Sequence, residues 1–203
     1  MKAAASKHEV VVVDAGGSNI GSLRYALQRL GIEASLSADP GRIRAATHVI
    51  LPGVGAAAPG MRRLRDADLI DVVCGLTQPV LGVCLGMQLL FERSEEGDTP
   101  CLGVIPGVVQ GFPQSDNLRI PHMGWNALRI ERDSALFSDV EAESYVYFVH
   151  SYMTPSAKHT LASTDHGGRF AALIQHNNFY GMQFHPERSG STGARLLQNF
   201  LAL

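Results

Sequence analysis

Apolar residues in the first half of this chain fall into short continuous runs, separated by stretches with helical spacing. The runs are rich in valine, isoleucine and leucine, which is typical of strands buried on both faces of a parallel sheet. Four of them are predicted to be strands, residues 9–14, 32–36, 47–51 and 79–83. Helical spacing runs from Ile20 to Leu30, where Gly31 ends the helix, and again at about residues 60–76. This alternation predicts an α/β fold, a parallel sheet with helices on both faces.

After residue 102 the pattern changes to short strands separated by turn residues. Seven strands are predicted there, residues 104–109, 118–120, 127–131, 145–150, 160–163, 169–175 and 179–184. A last helix, from about residue 192 to residue 203, should bury Leu196, Leu197 and Phe200. Short antiparallel strands are therefore expected to extend the parallel sheet. Because no linker, repeat or low-complexity tract interrupts the chain, residues 1–203 are expected to form a single domain.

Composition excludes several classes of function. The chain has 17 basic and 19 acidic residues and a net charge of −2, so neither a nucleic-acid partner nor an anionic membrane surface is expected. The N-terminus lacks the apolar core of a signal peptide, and no apolar run is long enough to cross a membrane. Three cysteines without zinc-ligand spacing indicate a reducing compartment. We expect a soluble cytoplasmic protein. Its acidic segment 92–98 should be a helix end and a solvated turn.

The strand at 79–83 ends on a glycine-flanked cysteine, Gly82-Val83-Cys84-Leu85-Gly86, and a helix is predicted to follow. This is the spacing of a nucleophile elbow, in which small neighbours allow a sharp turn that exposes the nucleophile. A helix N-terminus favours the reactive thiolate, and its free N–H groups, that of Leu85 above all, are placed to receive an oxyanion. Taken alone, the pattern fits a buried structural cysteine between packing glycines equally well.

A histidine and a carboxylate end the last predicted strand, as His185-Pro186-Glu187. The residue before a proline favours extended backbone, in which positions two apart face the same side. Glu187 is therefore expected to reach the ring of His185, fix its tautomer and stabilise the imidazolium. Together with Cys84 this makes a complete nucleophile, base and orienting acid. The alternative for each residue alone is a surface histidine and a solvated turn acid.

Loops after other strands supply further candidates. The loop Pro52-Gly53-Val54-Gly55 follows the strand at 47–51, where hydrolases with a nucleophile elbow place their second oxyanion donor. It fits the relaxed nucleotide-loop pattern only formally, and the loop at 14–19 is a poor match to the dinucleotide fingerprint. Both loops and Cys84 lie at carboxyl ends of predicted parallel strands, where such sheets bind ligands.

Two polar clusters in the second half remain open in meaning. Trp125 lies in the Gly/Pro-rich segment 121–126, predicted to be a loop, and fits either a partner anchor or a plug in its own core. The cluster at 147–152 fits substrate binding or ordinary polarity at a strand end. His185-x-Glu187 lacks the P-C-x-x-C segment that a zinc deaminase requires. We therefore expect neither a metal nor a cofactor.

The elbow with Gln88, together with His185-Pro186-Glu187, resembles the class I glutamine amidotransferases. The likeness extends to the glutaminase subunits of imidazole glycerol phosphate synthase, an enzyme of histidine biosynthesis. The stretches that carry it are residues 52–55, 82–97, 120–126, 148–152 and 184–190. Among them PHMGWN, at 121–126, is far more specific than the elbow. The chain departs mildly from many relatives at Ala56-Ala57-Ala58, where those carry bulkier residues.

The resemblance implies a flavodoxin-like α/β domain that hydrolyses glutamine. Cys84 would be the nucleophile, His185 the general base and then acid, and Glu187 the orienting carboxylate. The oxyanion donors would be Leu85, Val54 and Gly55. The residues that hold glutamine would be Gly53, Gln88, Ser151 and Tyr152.

The resemblance also implies a partner, a separate (β/α)₈-barrel cyclase subunit in a heterodimer. The cyclase would receive ammonia and form imidazole glycerol phosphate and an aminoimidazole carboxamide ribotide. Candidate interface residues are Asn19, His122, Trp125 and Arg188.

Three alternative functions remain: a glutaminase subunit of another biosynthetic pathway, a free-standing γ-glutamyl or peptide hydrolase of this fold, and a catalytically inactive binding subunit.

Overall fold

A mixed sheet of eight strands runs through the part of the chain that the computed structural model describes, residues 9–16, 20–115 and 118–203. The strands of the first half are β1 (Val10–Val13), β2 (Ala34–Ser37), β3 (His48–Leu51), β4 (Val80–Val83), β5 (Phe91–Ser94) and β6 (Thr99–Pro100). Those of the second half are β7 (Ile105–Gly111), β8 (His122–Ala127), β9 (Arg129–Ile130), β10 (Tyr145–His150), β11 (Tyr152–Met153), β12 (Thr160–Asp165), β13 (Arg169–His176) and β14 (Phe179–Met182).

The helices lie mainly between the early strands and at the C-terminus. They are α1 (Gly21–Arg29), α2 (Pro40–Ala45), α3 (Ala57–Asp66), α4 (Ile70–Cys74), α5 (Leu85–Leu89) and α6 (Gly190–Leu201). Short 3₁₀ turns span Glu96–Asp98, Ala135–Phe137 and Pro186–Arg188.

The strand order of the large sheet is β2-β1-β3-β4-β14-β13-β12-β9. Pairing is parallel from β2 to β14 and antiparallel from β14 to β9. This confirms the expected α/β fold with a mainly parallel sheet and added antiparallel strands. Two smaller sheets, β10-β8 and β11-β7-β5-β6, stand beside it.

Two hydrophobic layers cover the faces of the sheet. Alternate residues of β1 enter different layers, Val10 and Val12 on one side and Val11 and Val13 on the other, as the twofold repeat of a strand requires. Side chains of α1 and α6 complete the first layer, and side chains of α3, α4 and α5 complete the second. Strands buried on both faces explain the continuous apolar runs in the sequence.

Several local predictions were wrong. The expected helix at 60–76 is two helices, α3 and α4, because the chain turns between them, with Asp68 at φ +54°. No strand forms at 118–120; instead β8 covers the segment predicted to be a loop and pairs with β10. The acidic segment 92–98 is not a helix end, since it continues β5 into a 3₁₀ turn. For β8 and β5, strand partners elsewhere in the sequence decide the local structure.

Candidate active site

The turn that carries the nucleophile candidate forms where β4 ends. Cys84 has φ +52° and ψ −111° and directly precedes α5, a backbone conformation that residues other than glycine rarely adopt. Neighbouring glycines make the turn possible. A Cβ on Gly86 would lie 1.9 Å from the carbonyl oxygen of Leu51, and a Cβ on Gly82 would lie 2.6 Å from that of Gly86. The structure therefore contains the strand, sharp turn and helix that the glycine spacing predicts.

The second catalytic candidate comes from the strand beside β4. β14 runs parallel to β4, and the N–H of Cys84 donates to the carbonyl of Met182 over 2.7 Å. The chain that leaves β14 therefore passes the nucleophile and carries His185 to it. The N–H of His185 donates to the carbonyl of Tyr147 over 2.9 Å, and the hydroxyl of Ser189 donates to the carbonyl of His185 over 2.6 Å. These bonds fix the histidine backbone.

The carboxylate contact of the histidine has the predicted partners but a different backbone. Nδ1 of His185 lies 2.9 Å from Oε1 of Glu187, and both side chains are only 9% exposed. The segment Pro186–Arg188 is a 3₁₀ turn and not the extended chain that the sequence suggested. Because the carboxylate accepts the Nδ1 proton, Nε2 is the nitrogen left for proton transfer.

Electrostatics favour a protonated imidazole at this position. Burial by itself lowers the pKa of His185, but its hydrogen bonds and charge interactions with Cys84 and Glu187 outweigh burial and raise that pKa from 6.5 to about 10. A histidine that holds a proton beside a cysteine stabilises the thiolate. The pair is therefore arranged for nucleophilic attack followed by proton donation.

Cys84 and His185 open into a pocket of about 360 Å³. Its other lining residues are Val54, Gly55, Leu85, Gln88, Glu96, Pro121, Val149, His150, Ser151 and Tyr152. Most of the substrate and oxyanion candidates are thus in one place. Gly53 is the exception, since it packs against the elbow, where an added Cβ would lie 2.5 Å from the nitrogen of Gly86. A larger groove of about 470 Å³ lies on α1 and β2, and none of the described residues that line it is a cysteine or histidine.

Buried amides set how Gln88 meets a ligand. Its Nε2 donates to the carbonyl of Tyr152 and to Oε1 of Gln183, each over 2.9 Å. Since a carbonyl only accepts hydrogen bonds, the NH₂ end of the Gln88 side chain must face the Tyr152 carbonyl. The Oε1 of Gln88 is thereby left for a hydrogen-bond donor in the pocket. Gln183 itself has an unexposed side chain and was not singled out from the sequence.

Glu96 is a site residue that the sequence pattern did not indicate. It was expected at the surface, within the segment 92–98, but it lines the pocket and its Oε2 accepts from the N–H of Ala57 over 2.7 Å. Other acids of the segment also accept from backbone, Glu92 from Gly107 and Glu95 from Gly111. The acidic composition alone gave no signal for this, because the donors lie on α3 and β7, outside the segment.

A chain of buried histidines also escaped prediction. Nδ1 of His150 lies 2.7 Å from the carbonyl of Tyr152, and its Nε2 lies 3.1 Å from Nδ1 of His122. Nε2 of His122 lies 3.3 Å from the side-chain nitrogen of Asn126. Burial lowers the pKa of His122 to about 4 and that of His150 to about 3. Both rings are therefore neutral at pH 7 and donate in one direction, toward Tyr152.

The two-stranded sheet β8–β10 presents an exposed aromatic face next to the pocket. Met123 is 64% exposed and Trp125 is 55% exposed, so the tryptophan does not fill its own core. The Trp125 ring meets Tyr147 edge to face, and the Arg188 guanidinium lies 5.0 Å from the centre of the Tyr147 ring. His122 lies on the opposite, buried side of β8 and does not present its side chain to a partner. Asn19 lies outside the described residues.

Within residues 9–16, 20–115 and 118–203, no group of three or more histidine, cysteine, aspartate or glutamate side chains is arranged to hold a metal ion. In that same part of the chain, no helix is long and apolar enough to cross a membrane.

Comparison with known proteins identifies the fold. A sequence model of the family described as glutamine amidotransferase class-I matches residues 11–203. A putative GMP synthase subunit from Thermoplasma acidophilum superposes with a TM-score of 0.74 at 19% identity, over 98% of this chain and 94% of that chain. A crystal structure described as a glutamine amidotransferase gives a TM-score of 0.73 at 21% identity, over 95% and 97%. The structural likeness shows the class I glutamine amidotransferase fold.

Sequence relatives narrow the assignment. The imidazole glycerol phosphate synthase subunit HisH of Xanthomonas axonopodis pv. citri is 52% identical over 195 residues, which cover 96% of this chain and 98% of that protein. The subunit of the same name from Xylella fastidiosa (strain Temecula1) is also 52% identical, with the same coverage. The chain therefore belongs to the class I glutamine amidotransferase family and, within it, to the HisH subunits of imidazole glycerol phosphate synthase.

Proposed function

We propose that this protein is the glutaminase subunit of imidazole glycerol phosphate synthase and that Cys84, His185 and Glu187 are its catalytic residues. Hydrolysis of glutamine to glutamate and ammonia is the activity that its family carries out. The observation that carries the residue assignment is the elbow cysteine and the carboxylate-bound histidine opening into one pocket. A nucleophile, a base and an orienting acid in this arrangement perform acyl transfer.

The reaction begins with the Cys84 thiolate, whose proton is held by His185. The thiolate attacks the side-chain amide carbon of glutamine, and the carbonyl oxygen becomes an oxyanion. The first N–H groups of a helix have no acceptor within it, and Leu85 is the first residue of α5. Its N–H and those of Val54 and Gly55, which line the same pocket, are the proposed donors to the oxyanion.

Collapse of the tetrahedral intermediate breaks the carbon–nitrogen bond. His185 gives its proton to the leaving nitrogen, which departs as ammonia and leaves a thioester on Cys84. A water molecule, deprotonated by His185, then attacks the thioester and releases glutamate. Throughout, Glu187 holds the imidazole in one tautomer and stabilises its charged form.

Polar groups around the pocket match the polar ends of glutamine. Oε1 of Gln88 is available to accept from the substrate, and Ser151 and Tyr152 line the same pocket. Glu96 is the one carboxylate among the described residues that line the pocket. We assign Glu96 to the substrate ammonium group because opposite charges attract strongly in a half-enclosed site.

Ammonia has to leave this pocket without mixing with water, because ammonium predominates at pH 7 and is not nucleophilic. We infer that the exposed face of β8–β10 docks the cyclase, whose (β/α)₈ barrel uses the ammonia to form imidazole glycerol phosphate and an aminoimidazole carboxamide ribotide. Trp125, with Arg188 over Tyr147, would anchor it, because large aromatic and arginine side chains dominate interface energy. The site of action would be the cytoplasm, where a free thiol stays reduced.

The residue assignment is tested by labelling with a glutamine-analogue electrophile in the presence of the partner subunit. We expect the label on Cys84 alone, and loss of both label and glutamate release in Cys84→Ala. Cys74→Ala is the matched control, since Cys74 is a half-buried cysteine whose pKa burial raises, and it should leave both signals intact. A label on Cys74 or Cys101, or glutamate release by Cys84→Ala, would contradict the assignment.

A further inference from the structure

A second glutamine lies against the nucleophile. Gln183 follows β14 and is unexposed, and its Nε2 lies 3.8 Å from the sulfur of Cys84. Its backbone N–H donates to the carbonyl of Ala172 over 2.9 Å, which holds it to β13. This side chain is absent from the pocket lining and has no part in the acid–base steps above.

The direction of the Gln183 amide follows from its neighbours. The Tyr152 carbonyl receives Nδ1–H of His150 and an N–H of Gln88, so both donors are committed to it. The remaining side-chain N–H of Gln88 then points at Oε1 of Gln183 over 2.9 Å. With its oxygen engaged as an acceptor, Gln183 has to turn its NH₂ group toward Cys84.

The sulfur of Cys84 therefore lies between two groups, one that favours the protonated thiol and one that favours the thiolate. The carbonyl of Val149, at 3.9 Å, accepts from a protonated thiol, whereas the amide of Gln183 donates to an anionic sulfur. A hydrogen bond to the charged form of a group favours that form, and burial strengthens the effect. Gln183 is neutral at every pH, so it stays a donor after His185 has given up its proton.

We propose that Gln183 is a further positioning residue of the reaction, whose buried amide, held by Gln88, donates to the Cys84 thiolate and fixes its sulfur for attack. This inference rests on the proposed role of Cys84 as nucleophile. It also links the substrate to the nucleophile, because the amide that contacts glutamine through Oε1 of Gln88 is the one that orients Gln183.

The test is the pH dependence of Cys84 alkylation by iodoacetamide, read by mass spectrometry of the Cys84 peptide from about pH 5 to about pH 10. The other titratable residues that line the pocket with Cys84 are His185, with Glu187 behind it, His150, Tyr152 and Glu96. These remain in every variant, so a difference between wild type and variant reports on position 183. Cys101 interferes little, because burial raises its pKa to about 11.

Two variants separate donation from packing. Gln183→Met removes the donor and keeps the length of the side chain. We expect the midpoint of the alkylation profile to rise by about one pH unit, so that alkylation at a pH below the midpoint is about tenfold slower. Gln183→Glu keeps the shape and the acceptor for Gln88 but turns a carboxylate toward the sulfur, so its midpoint should rise further. Gln175→Met is the matched control on β13, where the glutamine bonds the Tyr180 hydroxyl, and its profile should equal wild type.

The outcomes are distinct. Midpoints of the alkylation profile that rise from wild type to Gln183→Met and again to Gln183→Glu support donation to the thiolate. Unchanged midpoints, or a Glu variant closer to wild type than the Met variant, would overturn the inference and show that Gln183 only fills space. The isosteric Glu variant keeps the test decisive if the Met variant folds poorly. Absence of alkylation at Cys84 in the wild type would instead overturn the nucleophile itself.

Discussion

Replacing Glu187 by glutamine tests how the histidine is held. The substitution keeps the shape but removes the charge that faces Nδ1 of His185 over 2.9 Å, in a position where both side chains are 9% exposed. A buried hydrogen bond to a charged group contributes about 2–3 kcal/mol, which corresponds to about 30- to 150-fold in rate. The amide can also present its NH₂ to the ring and favour the wrong tautomer, which lowers the rate further.

The pH dependence of stability gives this prediction a second readout. In the folded protein the pKa of His185 is raised to about 10, above the 6.5 of the unfolded chain. Proton binding by His185 therefore stabilises the fold fully below pH 6.5, and this contribution is lost as the pH rises through about 10. The free energy of unfolding of Glu187→Gln should lie below that of wild type near pH 6, and the difference should shrink toward pH 10.

The assays are partner-stimulated glutamate release for the rate and urea denaturation for stability. Glu131→Gln is the control, because Glu131 is a surface acid outside the pocket lining that accepts from the Ser163 hydroxyl and pairs with Arg169. It should leave the rate unchanged. If Glu187→Gln kept more than about half of the wild-type rate, with an unchanged pH profile of stability, the orienting role would be refuted.

Three further predictions concern packing, acid stability and the partner face. Gly86→Ala should lower the free energy of unfolding by about 3 kcal/mol or more in urea titration, because its Cβ would lie 1.9 Å from a β3 carbonyl oxygen. Gly111→Ala is the control and should cost far less, because its Cβ would make only an ordinary contact at 3.8 Å. Equal losses of stability in the two variants would contradict this. The folded-state pKa values of His122 and His150 are lowered to about 4 and about 3, so the free energy of unfolding should fall as the pH drops below 6.5. His122→Phe should make that fall less steep. An unchanged slope in the variant would contradict this prediction. Trp125→Ala should weaken binding of the partner subunit by about 30-fold in calorimetry, and unchanged affinity would remove this face from the interface.

Much of the fold was predictable because the strands of the parallel half of the sheet are continuous apolar runs that can be recognised from the local sequence. The apolar runs correspond to β1–β4, and the glycines around Cys84 specify a turn that tolerates no larger residue at Gly86. α2 was not predicted, although Asp39-Pro40 is a typical helix start: Asp39 caps the helix by accepting from the N–H of Arg42 over 2.7 Å.

What could not be predicted depends on pairing between distant segments. β8 forms in a Gly/Pro-rich stretch only because β10 pairs with it, with Gly124 opposite Phe148. The same pairing turns His122 inward, onto His150, and leaves Trp125 outward. A glutamine such as Gln183 looks ordinary in sequence, because its chemistry arises only where β14 ends beside β4.

Glutamate release from glutamine by the purified protein is the decisive assay for the proposed function. It is run alone, and then with the cyclase subunit of imidazole glycerol phosphate synthase and its nucleotide substrate. We predict low release by the protein alone, a large rise in the complete mixture, and no release in either mixture from Cys84→Ala. High release without the partner would contradict a subunit that hands its ammonia on and would point to a free-standing hydrolase.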